Sequence, residues 1–104
     1  MRVTVIITSF KEPKTIGKAA LAILPQLSKR DELIVIAPDK ETLNVAKGVS
    51  KKIKIIKDIG NGKPAAMNLA TKKASGEILV WTDGDVFISN NSIKELILHF
   101  QNDK

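Results

Sequence analysis

Cysteine is missing from this 104-residue chain altogether. That absence excludes a disulfide scaffold, a thiolate zinc site and a cysteine nucleophile together. Long apolar runs are missing too. The longest uncharged apolar stretch, residues 19–27, is broken by Pro25 and Gln26 and falls far short of the roughly 20 residues that span a bilayer. The N-terminus has no small-residue cleavage site and meets charge at Lys11 and Glu12, so it reads as a strand and not as a signal peptide. A cytoplasmic, reducing location is the expectation. Arginine is scarce, with only Arg2 and Arg30, and arginine is the side chain most used to read nucleic-acid bases. The one histidine, His99, reads as a surface or boundary residue of a helix.

The residues that are there describe an ordinary globular domain. Hydrophobic residues make up 43% and charged residues 27%, and the length is enough for one core over residues 1–104, not two. The net charge of +6 could mark a nucleic-acid binder. The lysines, however, are spread from Lys11 to Lys104 with only short clusters at Lys51/Lys52 and Lys72/Lys73. That pattern is a solvated surface, and no nucleic-acid partner is expected.

Four apolar, β-branched runs, at residues 3–8, 32–37, 52–57 and 77–82, read as strands. The first, second and fourth look buried on both faces, whereas the third alternates Ile53 and Ile55 with lysine, as an edge strand does. Helix patterns fall between and after them. The first, with Ile16, Ala19, Ala20 and Ile23 on one face, should end or kink near Pro25. The second covers residues 40–49 behind an Asp39 N-cap, and the third runs from Pro64 to a Gly76 C-cap. The fourth opens on a Ser92–Glu95 capping box and carries Ile93, Leu96, Ile97 and Phe100 on one stripe. This α/β alternation predicts a parallel sheet with helices on both faces. Ligands of such sheets sit outside the carboxyl ends of the strands, which directs attention to the loops after strands one and four.

Strand four runs into Asp83-Gly84-Asp85. Two carboxylates one residue apart can approach a single hard cation, Mg²⁺ or Mn²⁺, that fills its other positions from water and substrate phosphate. The glycine between them lets the chain turn tightly. Strand one ends in Thr8-Ser9-Phe10-Lys11-Glu12, a polar loop able to hold a nucleobase and ribose, with Glu12 accepting from their donors. Residues 60–68 are glycine-rich and open a helix, but a Walker motif would need glycine where Lys57 stands and Ser or Thr where Pro64 stands. A P-loop is excluded, while Lys63 at a helix start can still meet a diphosphate. Asn68, one turn in, reads as a buried polar residue in need of a partner. Trp81 and Met67 read as core.

Taken together, these residues resemble the N-terminal half of a family 2 glycosyltransferase of the GT-A type. The opening strand with its aromatic-x-Glu loop is similar to the family's first strand. The run Gly62, Ala66, Asn68, Ala74, Gly76-Glu77, four apolar residues and Thr82 before Asp83-Gly84-Asp85 is similar to its later motifs. The resemblance implies a three-layer Rossmann-like half with a mainly parallel four-stranded sheet in the order 3-2-1-4. It also implies a nucleotide-diphospho-sugar donor, UDP- or GDP-linked, with Mg²⁺ or Mn²⁺ bridging the diphosphate. Asp85 would be the metal ligand and Asp83 would serve ribose or metal. Thr8, Ser9, Phe10, Glu12 and Asp39 would lie near base and ribose, and Lys63 and Asn68 would complete the substrate site.

Two residues depart from the family pattern. Ala37-Pro38 stands where an Asp pair is usual, with Asp39 following, and Lys11 replaces a loop asparagine. The family's catalytic base lies after the D-x-D, where the last 19 residues of this chain offer only Glu95 and Asp103 as carboxylates. The expectation is therefore a donor-binding half without its acceptor half, meeting membranes only through other segments and self-associating through an open sheet edge.

Other classes fit less of the sequence. A sugar-phosphate nucleotidyltransferase needs a glycine-rich Arg/Lys loop after strand one. A receiver domain needs an acidic pair there and a lone Asp after strand three, of which only Asp58 is present. A non-catalytic nucleotide-binding or basic nucleic-acid-binding α/β module is the remaining alternative.

Overall fold

A computed structural model describes residues 2–89 and 92–102; Asp103 and the side chain of Phe100 lie outside the described residues. The four apolar runs become β1 (Val3–Thr8), β2 (Glu32–Ala37), β3 (Ile53–Lys57) and β4 (Ile78–Asp83). All pairings are parallel and the order is β3-β2-β1-β4, as expected. Parallel strands need long crossovers. These contain α1 (Ile16–Ile23), α2 (Lys40–Val49) and α3 (Lys63–Lys73), and α4 (Ser92–Asn102) follows β4.

Successive strand residues point to opposite faces, so the sheet feeds two cores. Val3, Val5 and Ile7 with Leu33, Val35 and Ala37 pack against Ile16, Ala20 and Ile23 of α1, Leu43 and Ala46 of α2 and Ile93 of α4. On the other face Ile6, Ile34, Ile36 and Ile56 meet α3 through Ala66 and Ala70. These two alanines, one helical turn apart, let α3 lie close to the strands. Trp81 packs at the margin of this second core.

Pro25 has no N–H with which to continue α1, and the chain closes in a 3₁₀ turn at Leu24–Gln26. Gln26 is buried there. Its Nε2 donates to the Ala22 and Ser89 carbonyls, and its Oε1 accepts the Ile93 N–H at 2.7 Å. A glutamine from another element thus satisfies one of the orphan donors of α4. Ser92, read as the helix's capping residue, is instead its first residue, with its hydroxyl 2.5 Å from that of Ser89.

Two further expectations are corrected. β4 is not buried on both faces: each of its residues is half-buried, because it lies at the sheet's edge, beside β1. Gly76 is not the C-cap of α3, which ends at Lys73 with Ala74 as cap. Gly76 lies against β1, where a Cβ would come within 2.5 Å of Thr4 Oγ1 and 2.6 Å of the Thr4 nitrogen. Its N–H donates to Thr4 Oγ1 at 2.9 Å, and that hydroxyl donates to Glu32 Oε1 at 2.7 Å. The Ser75 N–H and hydroxyl donate to the same Glu32 oxygen at 2.7 and 2.9 Å. Burial acts to raise the Glu32 carboxyl, but the bonds from Ser75 and Thr4, with the charge of Lys54, outweigh it and hold the group below its ordinary range. The amino ends of the strands are fastened by this cluster.

Candidate functional site

The carboxyl ends of the strands form a row. The parallel register sets Asp83 beside Thr8, Thr8 beside Ile36 and Ile36 beside Ile56. Two residues further along each strand come Asp85, Phe10, Pro38 and Asp58. By the period of two, Thr8, Ile36 and Ile56 share the α3 face of the sheet. The start of α3 rises beside this row, and between them lies a cavity of about 500 Å³, a usual size for a small-molecule site.

The loop after β1 and the end of β4 meet at one wall of this cavity. The Gly84 N–H donates to the Thr8 carbonyl at 3.1 Å. A Cβ on Gly84 would strike Ser9 Oγ and come within 2.8 Å of both Ser9 Cβ and Glu12 Oε1. Gly84 has no positive φ, so the glycine is required by close approach and not by turn geometry. Ser9 Oγ donates to Glu12 Oε1 at 2.7 Å, fixing the loop's carboxylate beside the acidic pair. Asp83 Oδ1 accepts from the Lys63 ammonium at 2.8 Å and from the Thr8 hydroxyl at 3.1 Å. The Lys63 hydrogen bond and charge, helped by Thr8 and opposed by burial, hold the Asp83 carboxyl below its ordinary range. Asp85 is exposed at the rim and accepts no hydrogen bond among the described residues. Phe10, 62% exposed, flanks the same cavity with the Lys11 ammonium 5.2 Å from its ring centre.

Seven of the expected residues therefore line one cavity: Thr8, Ser9, Phe10, Glu12, Lys63, Asp83 and Asp85. Two do not. Asn68 is exposed on α3, because Ala66 and Ala70 face the sheet and a residue two positions from Ala66 lies about 200° round the helix. Asp39 is consumed as a cap. Its Oδ2 accepts from the Thr42 N–H at 3.2 Å and the Thr42 hydroxyl at 2.5 Å, and its Oδ1 accepts the Lys11 N–H at 2.9 Å. Burial acts to raise its carboxyl, but these bonds, those of Thr42 foremost, bring it below its ordinary range. Thr42, fully buried, also accepts the Glu12 N–H at 2.9 Å. Asp39 thus sets the shape of the β1 loop from behind. Lys11 lies in the left-handed region at φ 52°, a conformation that asparagine tolerates and lysine does not favour.

Sequence reasoning weighed Asp58 only against the receiver-domain pattern and left it out of the donor site. Asp58 follows β3, is 8% exposed, lines the cavity, and accepts the Gly60 N–H on Oδ1 at 2.6 Å. The signal was present, since a carboxylate at the carboxyl end of a parallel strand stands on the ligand side of the sheet. Gly60 and Gly62, at φ 78° and 96°, carry the chain from Asp58 round the cavity to Lys63 and the N-terminus of α3.

The Asp83–Asp85 pair is an oxygen donor set suited to a hard cation, with Asp85 and one oxygen of Asp83 uncommitted among the described residues. No cluster of three His, Asp or Glu able to hold a metal occurs among the described residues. A cation here would take its remaining ligands from substrate and water.

This sheet order, with its cavity at the carboxyl ends, defines a Rossmann-like α/β fold of the GT-A type. The fold matches crystal structures of S. aureus TarS. One match has a TM-score of 0.83 at 23% identity, covering 98% of this chain and 20% of that one. A structure of TarS residues 1–349 gives 0.80 at 23% identity, with 98% and 33% covered. The chain thus spans between a fifth and a third of the structures it resembles. It belongs to glycosyl transferase family 2, whose family model matches residues 4–104. No curated protein sequence matches it.

Proposed function

We propose that this chain binds the nucleotide-diphospho-sugar donor of a family 2 glycosyltransferase, with Mg²⁺ or Mn²⁺ at Asp83 and Asp85. One observation carries the reading: the β1 loop and the Asp83–Asp85 turn are packed together so closely that Gly84 has no room for a Cβ. An activated sugar's nucleoside and its diphosphate can therefore be held at one wall. Phe10 and Glu12 lie on the base and ribose side, Glu12 being held by Ser9. Lys63, now on Asp83, moves its ammonium onto the diphosphate, and the N–H groups at the start of α3 point to the same charge. Thr8 keeps Asp83 oriented while Lys63 is engaged elsewhere. The cation would neutralise the diphosphate and ease its departure as a leaving group.

Calorimetry with UDP- and GDP-sugars, with and without manganese, tests the reading on this chain and on Asp85→Ala. Manganese-dependent binding in the parent, reduced at least about tenfold in the variant, is the expected result. Equal binding by both would remove Asp85 from the site, and no binding by either would overturn donor binding.

A further inference from the structure

We propose that two copies of this chain pair through the outer edge of β4, antiparallel and about a two-fold axis at Val80, so that their sheets join into one. Among the described residues β4 has a neighbouring strand on one side only. Alternate residues of a parallel strand turn both N–H and C=O to the same side. The Ile78 and Gly84 N–H groups donate to the Arg2 and Thr8 carbonyls along β1, so the even-numbered residues of β4 face β1. Leu79 and Trp81 present their N–H and C=O groups outward.

The two edges of the sheet are unlike. On and beside β3, Lys52, Lys54 and Lys57 are exposed, and charged side chains, lysine above all, oppose edge-to-edge pairing. β4 carries no lysine or arginine, and its run from Ile78 to Trp81 is apolar and only half-buried. Ile78 and Val80 lie against the first core, Leu79 and Trp81 at the margin of the second. α3 packs on β1 and β2, which leaves the outer flank of Leu79 and Trp81 open to a neighbour.

The occupant is a second copy because β4 is complementary to itself. A two-fold axis normal to the sheet keeps the faces of both copies in line. With the axis at Val80, Leu79 of each copy faces Trp81 of the other, and Ile78 faces Thr82 on the opposite face. Each Leu79–Trp81 pair exchanges both of its outward hydrogen bonds and sets an aromatic side chain against an aliphatic one. Val80 meets its own copy between them, at a non-hydrogen-bonded position. Beyond them Glu77 of one copy faces Asp83 of the other, and Lys63, 2.8 Å from Asp83 Oδ1 and more than half exposed, is the cation placed to meet both carboxylates. Antiparallel pairing sends the two cavities to opposite ends of the joint sheet, so donor binding does not depend on it.

The chain has no cysteine and no tyrosine, and Trp81 is its one tryptophan, which makes two readouts specific. Sedimentation velocity up to about 1 mM chain should show a monomer–dimer equilibrium, with Trp81 emission moving to the blue as the indole leaves water. Val80→Cys places a single thiol at the axis. Facing Cα atoms at such a position are about 4.5 Å apart, within disulfide range. The thiols of Leu79→Cys lie two residues out of register, more than about 7 Å apart, and cannot be bridged. Mild oxidation should therefore cross-link Val80→Cys at least about tenfold faster than Leu79→Cys, with thermal denaturation checking that both are folded. A monomer at every concentration would overturn the proposal. A dimer with unchanged Trp81 emission would also overturn it, as would cross-linking of Leu79→Cys as fast as Val80→Cys. Each of these outcomes leaves manganese-dependent binding of a UDP-sugar, measured separately, to stand or fall by itself.

Discussion

Asp39 apart, whose two oxygens are taken by Lys11 and Thr42, the two ends of this sheet use carboxylates in opposite ways. At the amino end Glu32 accepts from Thr4 and twice from Ser75, and Asp31 accepts from the Val3 N–H, the Ser28 N–H and the Ser28 hydroxyl. These groups are spent on holding strands and loops together. At the carboxyl end Asp83 and Asp58 each commit one oxygen and Asp85 commits none among the described residues. A carboxylate whose acceptors are filled from within is a fastener, whereas one with lone pairs turned to a cavity is available to a ligand. Net charge or residue count would not separate the two.

The largest effects that sharpen this contrast come from the two glycines at opposite ends. Gly76→Ala drives a Cβ against the backbone of β1 and should cost about 1–3 kcal/mol of stability, read by urea denaturation, with manganese-dependent nucleotide binding intact at temperatures where the chain is folded. Gly84→Ala meets Ser9 and Glu12; it should cost a similar amount, about 1–3 kcal/mol, and abolish that binding as well. Binding retained in Gly84→Ala would break the contrast.

An effect of similar size on stability, in Glu32→Ala without the loss of binding, separates the carboxylates themselves. Glu32→Ala leaves the donors of Thr4 and Ser75 without their acceptor and should cost about 1–3 kcal/mol, while Asp85→Ala should change stability by less than about 0.5 kcal/mol. The Glu32 contribution has a definite pH dependence. Its folded-state carboxyl titrates below its ordinary range, so in acid the unfolded chain binds the proton first. The stabilisation is complete above the ordinary glutamate range and is lost as pH falls below about 4. Denaturation at pH 7 and pH 3 should therefore show a Glu32→Ala deficit at the first and a much reduced one at the second.

The smallest effect lies behind the site. Lys11 occupies left-handed backbone at φ 52°, and Lys11→Gly should raise stability by about 0.5–1 kcal/mol with UDP binding changed less than about threefold, within the spread expected of a residue that only shapes the loop. A loss of stability would show that the Lys11 side chain, which lies over Phe10, matters more than its backbone.

Much of this was legible from the chain alone. Unbroken β-branched runs separated by helical spacing specify a parallel sheet, since buried strands of that kind have no polar face. Asp83, Gly84 and Asp85 directly after such a run stood out for the same reason, as did Pro25 as the end of α1. These are local signals, carried by residue type and period. What only the tertiary structure decided are the matters that depend on partners distant in sequence. Asn68 turned outward because the alanines of α3 claim the sheet, and Asp39, legible in the sequence as an N-cap, lost its second oxygen to the Lys11 N–H from a distant loop. Gly76 and Gly84 are glycines because strands from elsewhere press on them. Asp58 came to face Lys63 and the acidic pair across one cavity because the sheet order sets β3 and β4 at its opposite edges. Sequence fixes what each side chain can do, but which lone pairs remain uncommitted is settled when the folded chain has satisfied its own donors.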